Sequence, residues 1–504
     1  MSETSFPTCP TPFNLAQYVL CNAQPRPDKI ALEILGSEPE AWSYRALTDA
    51  VLGVATGLVQ SGLQSGAIVM LRLGNTADFP IAYLGVIAAG MIACPTSSAL
   101  TPSEITKMTG TIQPQAILQN PALAKPDASD CTFISLDNLR QMYRLPAANW
   151  HFGDPNRPAY MVFTSGTSGV PRAVLHAHRA IWARRMMHRD WSEITKNDRL
   201  LHAGAFNWTY TLGTGLMDPW SVGATALIAQ ENTALSELGY LLAQSEASIF
   251  AAAPGVFRKM LKEELPELPK LNHALSAGEK MAPNIHQDWH DATGLKIYEA
   301  FGMSECSTFI SASPSKPVPS SGLGKPQSGR KIALLDAQGN EVRKGETGVI
   351  AVHRTDPGLM LEYFNAPEET KERFQGDWFL SGDLAMQDED GVFHYQGRAD
   401  DMMNAGGFRV SPIEIEAVFE TLDSIAQCAA IEISVKADTS VIALCYLAAN
   451  PVQESTLQAL ATDQLARYKR PRIYHQCDTL PLSANGKLLR RVLRSQIEAL
   501  YGQA

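Results

Sequence analysis

A short run of hydroxyl-bearing residues and glycines is the part of this sequence whose residue types point most directly to chemistry. The run covers residues 164–169 and follows the apolar residues 160–163, which predict a buried strand. Glycines let backbone N–H groups approach an anion closely, and Thr and Ser hydroxyls add further donors. The sequence therefore predicts a polyphosphate-binding loop made of Thr164, Ser165, Gly166, Thr167, Ser168 and Gly169.

Two other interpretations of this run fit less well. A flexible Gly/Ser linker would not follow a buried strand so abruptly. The loop of P-loop NTPases requires Gly-Lys followed by Ser or Thr, whereas Gly169 is followed by Val170, Pro171 and Arg172. The pattern thus favours a phosphate loop of another kind, with Arg172 as a nearby positive charge.

Two later segments combine a predicted strand with polar residues at its end. Residues 275–279 are typical of a strand that ends in a glycine turn, and residues 297–305 are typical of a strand whose end exposes backbone and two acids. Ligands of open α/β sheets lie beyond the carboxyl ends of the strands. Both segments are therefore predicted to face the same nucleotide.

The elements that position these segments follow from the length and pattern of the chain. A chain of 504 residues exceeds what one core usually holds, which predicts at least two domains. Helical and strand-like patterns alternate over residues 13–100, which favours a mostly parallel, doubly wound sheet. A loop at residues 311–329 leads to strand-like stretches separated by turn dipeptides, which predict a small antiparallel β subdomain.

A polar junction at residues 397–401 marks the predicted domain boundary. Beyond it, Ser411 as N-cap, Pro412 at the first helical position and Glu414 predict a helix that starts with a capping box. The remaining residues alternate helix and strand and would form a domain of about 100 residues. We therefore predict an α/β protein with an N-terminal domain at residues 1–398 and a smaller α+β C-terminal domain at residues 399–504.

Charge and cysteine usage exclude several classes of protein. A net charge of -10 argues against a nucleic-acid partner or an anionic membrane surface. The eight cysteines have neither close pairs nor metal-ligand spacing, which predicts reduced thiols and no zinc site. The sequence shows no signal peptide and no apolar run of membrane-spanning length, which predicts a cytoplasmic protein.

A helix predicted at residues 178–190 carries four arginines. We interpret them as a solvent-exposed face of that helix: Arg179, Arg184, Arg185 and Arg189.

Residues 160–175 resemble the signature loop of the adenylate-forming superfamily, which contains acyl-CoA synthetases, luciferases and peptide-synthetase adenylation domains. The position of Arg172 is usually Lys in that family, and Ser304 stands where Thr is usual. Five motifs follow the order of the family between Tyr160 and Lys487. The resemblance implies that ATP is bound by the loop at residues 164–169 and by Arg172, Gly278, Glu279, Ala300, Phe301, Gly302, Ser304, Asp383 and Arg398. It also implies that Glu305 and Thr167 bind Mg²⁺.

The C-terminal motifs extend the same resemblance. Residues 480–487 resemble the catalytic-lysine loop, so Lys487 is the expected catalytic residue together with Glu305. Asp400 matches the family's hinge, about which the C-terminal domain is expected to be mobile. The space for coenzyme A is expected to be lined by Gly406, Gly407, Phe408 and Arg409.

The acyl pocket is predicted from residues 206–220, which resemble the aromatic gate motif of medium-chain and acetyl-CoA synthetases. Its lining is expected to come from Phe206, Trp208, Tyr210 and Gly302. No carboxylate stands near Asn207 to hold a substrate ammonium, which disfavours an amino-acid substrate. Acetyl-specific relatives carry Trp where Gly302 stands, so the glycine predicts free space for a medium-chain, branched or aromatic acid with an uncharged tail. On this view Gly302→Trp would shift preference toward acetate or propionate.

The function predicted from the resemblance is that of an AMP-forming acyl-CoA synthetase similar to medium-chain and benzoate-type enzymes. The expected substrates are a carboxylic acid, ATP with Mg²⁺, and coenzyme A. Two alternatives stay open: an adenylation enzyme that loads a carrier protein, and a catalytically silent regulator that binds nucleotide or acyl groups. The sequence also leaves a homodimer open.

Overall fold

The computed structural model of the chain describes residues 7–127, 131–164, 172–230, 233–399, 401–405, 408–436, 439–465, 467–483 and 488–501. The N-terminal strands are β1 (Ile30–Leu35), β2 (Glu40–Ser43), β3 (Ile68–Arg72), β4 (Ile92–Pro95), β5 (Ala116–Gln119), β6 (Thr132–Ser135), β7 (Pro158–Thr164), β8 (Arg172–Ala177), β9 (Arg199–Ala203), β10 (Thr225–Ala229), β11 (Ile249–Ala252), β12 (His273–Ala277), β13 (Ile297–Met303), β14 (Ser307–Ser311) and β15 (Lys325–Pro326). The later strands are β16 (Ile332–Leu335), β17 (Thr347–His353), β18 (Glu362–Tyr363), β19 (Phe374–Gln375), β20 (Trp378–Gln387), β21 (Phe393–Arg398), β22 (Met403–Ala405), β23 (Phe408–Val410), β24 (Gln427–Lys436), β25 (Thr439–Leu447) and β26 (Ile473–Gln476).

Helices connect most of these strands. They are α1 (Leu15–Val19), α2 (Tyr44–Gln60), α3 (Asp78–Ala88), α4 (Pro102–Ile112), α5 (Leu136–Met142), α6 (Ala180–Ala183), α7 (Arg185–Met187), α8 (Asp218–Val222), α9 (Leu238–Gln244), α10 (Pro254–Met260), α11 (Pro283–Thr293), α12 (Pro367–Glu372), α13 (Pro412–Phe419), α14 (Glu454–Gln464) and α15 (Arg490–Tyr501). Two segments, His188–Ser192 and Thr211–Met217, are π-helical. Among the described residues, no helix is both long and apolar enough to cross a bilayer.

Two mostly parallel sheets form the body of the N-terminal part. One has the strand order β15-β14-β13-β12-β11-β9-β10-β1-β2, and the other has the order β18-β8-β7-β4-β3-β5-β6. All five residues of β3 are buried, as expected for a parallel strand covered on both faces. The predicted α/β class and the doubly wound arrangement are confirmed.

A smaller antiparallel sheet follows, with the order β16-β17-β20-β19 and with β21 paired to β20. It corresponds to the predicted β subdomain. Its inner residues Ile350, Val352, Phe379 and Phe393 join the same hydrophobic cluster as the neighbouring sheets. The subdomain is therefore packed on the N-terminal part.

The C-terminal part has a separate core. Its sheet has the order β24-β25-β26, and a hairpin of β22 and β23 precedes α13. Two hydrophobic clusters, one that includes Ile415 and Phe419 and one that includes Leu493 and Ile497, draw only on residues beyond 402. This separation agrees with the predicted second domain.

Three local predictions were wrong in detail. The helix expected over residues 178–190 is broken into α6, α7 and a π-helical turn. Helix α13 begins at Pro412 as predicted, but the Ser411 hydroxyl donates to the Gln396 carbonyl at 2.5 Å and forms no capping box. For the last helix the sequence predicts a packing stripe of Leu489, Val492, Leu493 and Leu500. In α15 the buried positions are Leu493 and Ile497, whereas Val492 and Leu500 are exposed.

Candidate functional site

The predicted phosphate loop connects β7 and β8, which pair as a β-hairpin. Thr164 ends β7 and pairs with Arg172, the first residue of β8, so the two ends of the loop lie side by side. Residues 165–171 lie outside the described residues, and Ser165, Gly166, Thr167, Ser168 and Gly169 are among them. The edge at which this hairpin ends is the first boundary of the candidate site.

Arg172 and Glu305 meet the same tyrosine at this edge. The Arg172 guanidinium forms an ion pair with Glu369 and lies 5.5 Å from the ring centre of Tyr363. The Tyr363 hydroxyl donates to Oε1 of Glu305 at 2.7 Å. Burial, and then the Glu305 carboxylate, raise the pKa of Tyr363 well above its usual value, so the phenol stays protonated and keeps donating. Arg172 and Glu305 are thus held at one edge, although they are far apart in the chain.

The second and third predicted motifs lie on adjacent strands. Ala277 of β12 pairs with Ala300 of β13, so the glycine turn at Gly278 and the end of β13 share one sheet edge. Gly278 has a φ of +102°, and a Cβ there would lie 2.6 Å from Cζ2 of Trp208. Gly278 and Glu279 are exposed, whereas Ala300 is buried. The two segments therefore lie at one sheet edge, and that they face the same nucleotide stays a prediction.

The prediction that the end of β13 exposes two acids was wrong for one of them. Glu299 is 5% exposed and accepts hydrogen bonds from Lys280 at 2.7 Å, His286 at 2.9 Å and the Met281 N–H at 3.0 Å. Burial alone would raise the pKa of this carboxyl, but Lys280 and His286 hold it below its usual value. Glu299 therefore anchors α11 to the sheet, and Glu305 is the acid that reaches the edge.

A third strand brings two of the predicted ATP-binding residues to the same region. Asp383 lies within β20, and it pairs in register with Arg398 at the end of β21. Its carboxylate accepts from the Tyr395 hydroxyl at 2.8 Å and from Nη1 of Arg398 at 3.5 Å. Tyr395 in turn contacts Phe301, with ring centres 5.9 Å apart. The structure thus brings Asp383 and Arg398 close to the end of β13.

The residues predicted to line the acyl pocket are mostly core. Phe206 is 1% exposed and stacks on Phe79, and the buried Tyr210 donates its hydroxyl to the Leu275 carbonyl at 3.1 Å. Trp208 is half-buried and contacts Gly278. Phe206 and Tyr210 are both buried and make packing or hydrogen-bond contacts within the fold, and their place in the acyl pocket stays a prediction.

Gly302 does not leave the predicted space. A Cβ at this position would overlap the Ser307 carbonyl oxygen and would lie 2.6 Å from Cα of Thr308. The glycine is required because β13 and β14 approach closely where their register shifts between Phe301 and Gly302. The expectation that Gly302→Trp would fill an open pocket is therefore wrong.

A small cavity lies beside these residues and draws on side chains that the sequence did not single out as pocket residues. Its polar lining includes Tyr160, His176, Arg184, Thr209, Ser304 and Ser307. Of these, only Ser304 was a predicted site residue. Arg184 was interpreted as part of a solvated face, yet it is 5% exposed and pairs with Asp218, 34 residues later. No local pattern signals that pairing.

The C-terminal motifs are only partly described. Asp400, Gly406, Gly407 and Lys487 lie outside the described residues. Phe408 and Arg409 lie in β23, which pairs with β22. Leu482 and Leu488 form an antiparallel bridge, so the segment that contains Lys487 is flanked by paired residues.

The donors near the edge fit a magnesium ion that arrives with a nucleotide. Among the described residues, no group of three or more His, Cys, Asp or Glu side chains could hold a metal. Glu305 by contrast offers a half-buried carboxylate that accepts from Tyr363 of β18, the strand paired with β8. Mg²⁺ is commonly held by one or two carboxylates together with substrate phosphates. The arrangement suits that binding mode rather than a site built from protein ligands alone.

Comparison with known families gives matches over most of the chain. Residues 21–364 match the family described as AMP-binding enzyme, and residues 414–487 match the one described as AMP-binding enzyme C-terminal domain.

Individual relatives match over similar lengths. The 3-hydroxybenzoate–CoA/4-hydroxybenzoate–CoA ligase of Thauera aromatica is 26% identical, covering 91% of this chain and 92% of that protein. The human mitochondrial acyl-coenzyme A synthetase ACSM3 is 25% identical, covering 91% of this chain and 84% of that protein. The crystal structure of a benzoate CoA ligase from Burkholderia xenovorans LB400 has a TM-score of 0.87 at 25% identity, covering 96% of this chain and 100% of that chain.

Proposed function

This chain belongs to the AMP-binding enzyme family, and from that premise we propose that it is an ATP-dependent carboxylate–CoA ligase. A carboxylate attacks the α-phosphorus of ATP, which releases pyrophosphate and leaves an acyl-adenylate. The thiolate of coenzyme A then attacks the acyl carbonyl, and AMP leaves. The observation that carries this proposal is that relatives named as CoA ligases match through both family domains, with more than four fifths of each chain covered.

The described edge suggests how this chain would handle ATP. The hairpin of β7 and β8 would present the phosphate loop, and Asp383 with Arg398 would meet the ribose hydroxyls, because a carboxylate accepts two such bonds. Glu305, oriented by Tyr363, would hold Mg²⁺ together with Thr167. When bound, the ion would neutralise charge on the phosphate oxygens. The glycine turn at Gly278 and the adjacent Glu279, Ala300 and Phe301 would flank the adenine.

Lys487 and the domain boundary complete the proposal. A lysine ammonium aimed at the α-phosphate would stabilise the charge that develops during adenylation. Domains at residues 1–398 and 399–504 are supported by the separate C-terminal cores. We infer that the C-terminal domain rotates about Asp400, so that residues 406–409 replace Lys487 near the acyl group before the second step.

The proposal also covers the class of carboxylic acid that is the substrate and the cellular compartment of the protein. The relatives named above support a medium-chain or aromatic acid. Cys94, Cys306, Cys428 and Cys445 are buried and form no disulfide, which supports a reducing compartment such as the cytoplasm. A homodimer stays a prediction.

The proposal is tested with a panel of straight-chain, branched and aromatic acids. Pyrophosphate release that depends on acid and ATP is measured first, and acyl-CoA is then quantified by mass spectrometry. We expect at least one acid to yield stoichiometric acyl-CoA and AMP. Transfer to a carrier protein but not to coenzyme A would favour the carrier-loading alternative, and nucleotide binding without pyrophosphate release would favour the silent regulator.

A further inference from the structure

The cavity beside the end of β13 has the size and lining of a site for one small polar group. It has a volume of about 10 Å³, which is about what a single water molecule needs. It lies between β7 and β8 on one side and the π-helical segment Thr211–Met217 on the other, and Ser304 joins it to the proposed nucleotide edge. π-helical turns are frequent at functional sites. Two of its lining residues, Thr209 and Ser304, stand next to Trp208 and two positions after Gly302, which the family resemblance assigns to the acyl pocket.

The guanidinium of Arg184 supplies a donor to the cavity. Nε and Nη2 donate to the two oxygens of Asp218 at 2.7 and 2.6 Å, and Nη2 also donates to the Thr214 hydroxyl at 3.0 Å. Nη1 donates to the hydroxyl of Ser307, which also lines the cavity. These four contacts use four of the five N–H bonds of an arginine. Among the described residues no acceptor meets the fifth, which lies on Nη1.

His176 supplies an acceptor. Its Nε2 lies 2.7 Å from the Ser304 carbonyl oxygen, which can only accept, so Nε2 carries the proton. Burial lowers the pKa of His176 to about 4, so the ring is neutral at pH 7 and Nδ1 has a free lone pair. His176 is 2% exposed, and within the described part of the chain its Nδ1 has no hydrogen-bond partner. A buried acceptor without a partner is costly and points to a missing donor.

The charge at this site is already balanced. Arg184 and Asp218 form a pair with side chains 6% and 2% exposed, and Nε2 of His188 lies 3.1 Å from the same carboxylate. Burial alone would raise the pKa of Asp218, but Arg184 and His188 hold it below its usual value, so the carboxylate stays charged. A second carboxylate in the cavity would therefore have no cation of its own. The site suits a neutral group.

We propose that this cavity receives a hydroxyl group on the acyl part of the substrate, which accepts from Arg184 and donates to His176. The substrate class is then an aromatic or branched acid that carries a hydroxyl on its tail, and Arg184 and His176 are specificity-determining residues. This inference rests on the proposed ligase function. Buried ion pairs are often no more stabilising than apolar replacements, which agrees with a role in recognition rather than in folding.

The test compares acids that differ only in the tail substituent. Pyrophosphate release is measured with benzoate, 3-hydroxybenzoate, 4-hydroxybenzoate and terephthalate, and with hexanoate beside a hydroxyhexanoate. We expect kcat/KM for the best hydroxy acid to exceed that of its unsubstituted analogue by about 10²-fold or more, because a site that bonds a hydroxyl rejects analogues without one. Terephthalate is expected to be the poorest substrate.

Two matched histidine variants separate recognition from packing. His176→Leu removes the acceptor, and it should lower the hydroxy-to-unsubstituted ratio of kcat/KM at least about tenfold, whatever the change in turnover of the unsubstituted acid. His202→Leu removes a histidine that is also fully buried but does not line the cavity, and the ratio should not change. The ratio is insensitive to the amount of folded enzyme.

Three outcomes would overturn the inference. Equal kcat/KM values for hydroxy and unsubstituted acids in the parent, or a ratio that survives His176→Leu, would remove the role of the cavity while leaving a ligase. A preference for terephthalate would show that the site binds a charged carboxylate rather than a neutral hydroxyl. If none of the acids in this panel or the broader one supports pyrophosphate release, the ligase function itself fails, and the inference fails with it.

Discussion

The proposed nucleotide-binding edge, which includes Arg172 and Glu305, and the cavity beside Arg184 hold their charged groups in opposite ways. At the edge, Glu305 and Arg172 are half-buried, with one side-chain hydrogen bond from Tyr363 to Glu305 and one ion pair from Arg172 to Glu369. At the cavity, Arg184 and Asp218 are buried and joined by two direct contacts. Groups that must meet a charged substrate keep part of their hydration, whereas a neutralised pair can be buried and used for orientation.

The largest expected effect tests whether the edge works through charge presented to the substrate. Lys487→Ala should lower adenylate formation by about 10³-fold, because it removes a preorganised charge from the α-phosphate. Acyl-CoA formation from a preformed acyl-adenylate should persist. Both half-reactions can be followed separately by pyrophosphate exchange and by thioester production. Equal losses in the two would contradict the assignment.

The two acids at the end of β13 extend the comparison within a single segment. Glu299→Gln should lower the free energy of unfolding by about 2–3 kcal/mol, since bonds from charged donors to a buried carboxylate are weakened. Glu305→Gln should change it by less than about 1 kcal/mol. The activity of the Glu305 variant should fall and should need more MgCl₂, because one ligand charge is lost. Urea unfolding and magnesium titrations of pyrophosphate release measure the two effects. The comparison would fail if Glu299→Gln lost activity without losing stability.

Gly302 tests whether the boundary between the two regions depends on close packing. Gly302→Ala should destabilise the protein by about 1–3 kcal/mol, because the added methyl meets the backbone of β14. Gly110→Ala in α4 is the matched control, since a Cβ there meets nothing within 4 Å and the helix should gain about 0.5–1 kcal/mol. Thermal melts of both variants give the answer. A neutral Gly302→Ala would mean that the strands can separate there.

The smallest effect comes from a half-buried acid, Glu420, that is not neutralised in the same way. Burial, and then the nearby Glu416, raise the pKa of Glu420 from 4.5 to about 7, the opposite of Asp218. Because the folded pKa lies above the unfolded one, the stabilisation is complete below about pH 4.5 and is lost as the pH rises to about 7. Glu420→Gln should therefore make the free energy of unfolding less dependent on pH between about pH 4.5 and pH 7, and it should raise that free energy by about 1–2 kcal/mol at pH 8.

Unfolding free energies of the Glu420 variant and its parent at pH 5 and pH 8 check this prediction. Asp218 should show the reverse trend, with its contribution lost at low pH. An identical pH dependence in the parent and in Glu420→Gln would exclude a raised pKa of the Glu420 carboxyl.

Local patterns determined much of this protein from the sequence alone. The apolar run before residues 164–169, the glycine turn at Gly278 and Pro412 at a helix start each depend on residues within a few positions, so strands, turns and motif order could be predicted. The same holds for the meeting of β12 and β13, since parallel strands carry their ends to one edge.

Other features were decided only by the tertiary structure. The sequence places Arg184 in a run of charged residues that is typical of an exposed helix face, but in the structure Arg184 is buried against Asp218. Glu299 holds α11 to the sheet because His286 of that helix bonds to its carboxylate. The comparison with acetyl-specific relatives predicted free space beside Gly302, but the backbone of β14 occupies that space. In each case the partner lies far along the chain or on a neighbouring strand, and burial and hydrogen bonding depend on where the partners meet in space. The sequence therefore predicted the motifs that form the proposed nucleotide-binding edge, whereas the cavity beside Arg184 could be found only in the tertiary structure.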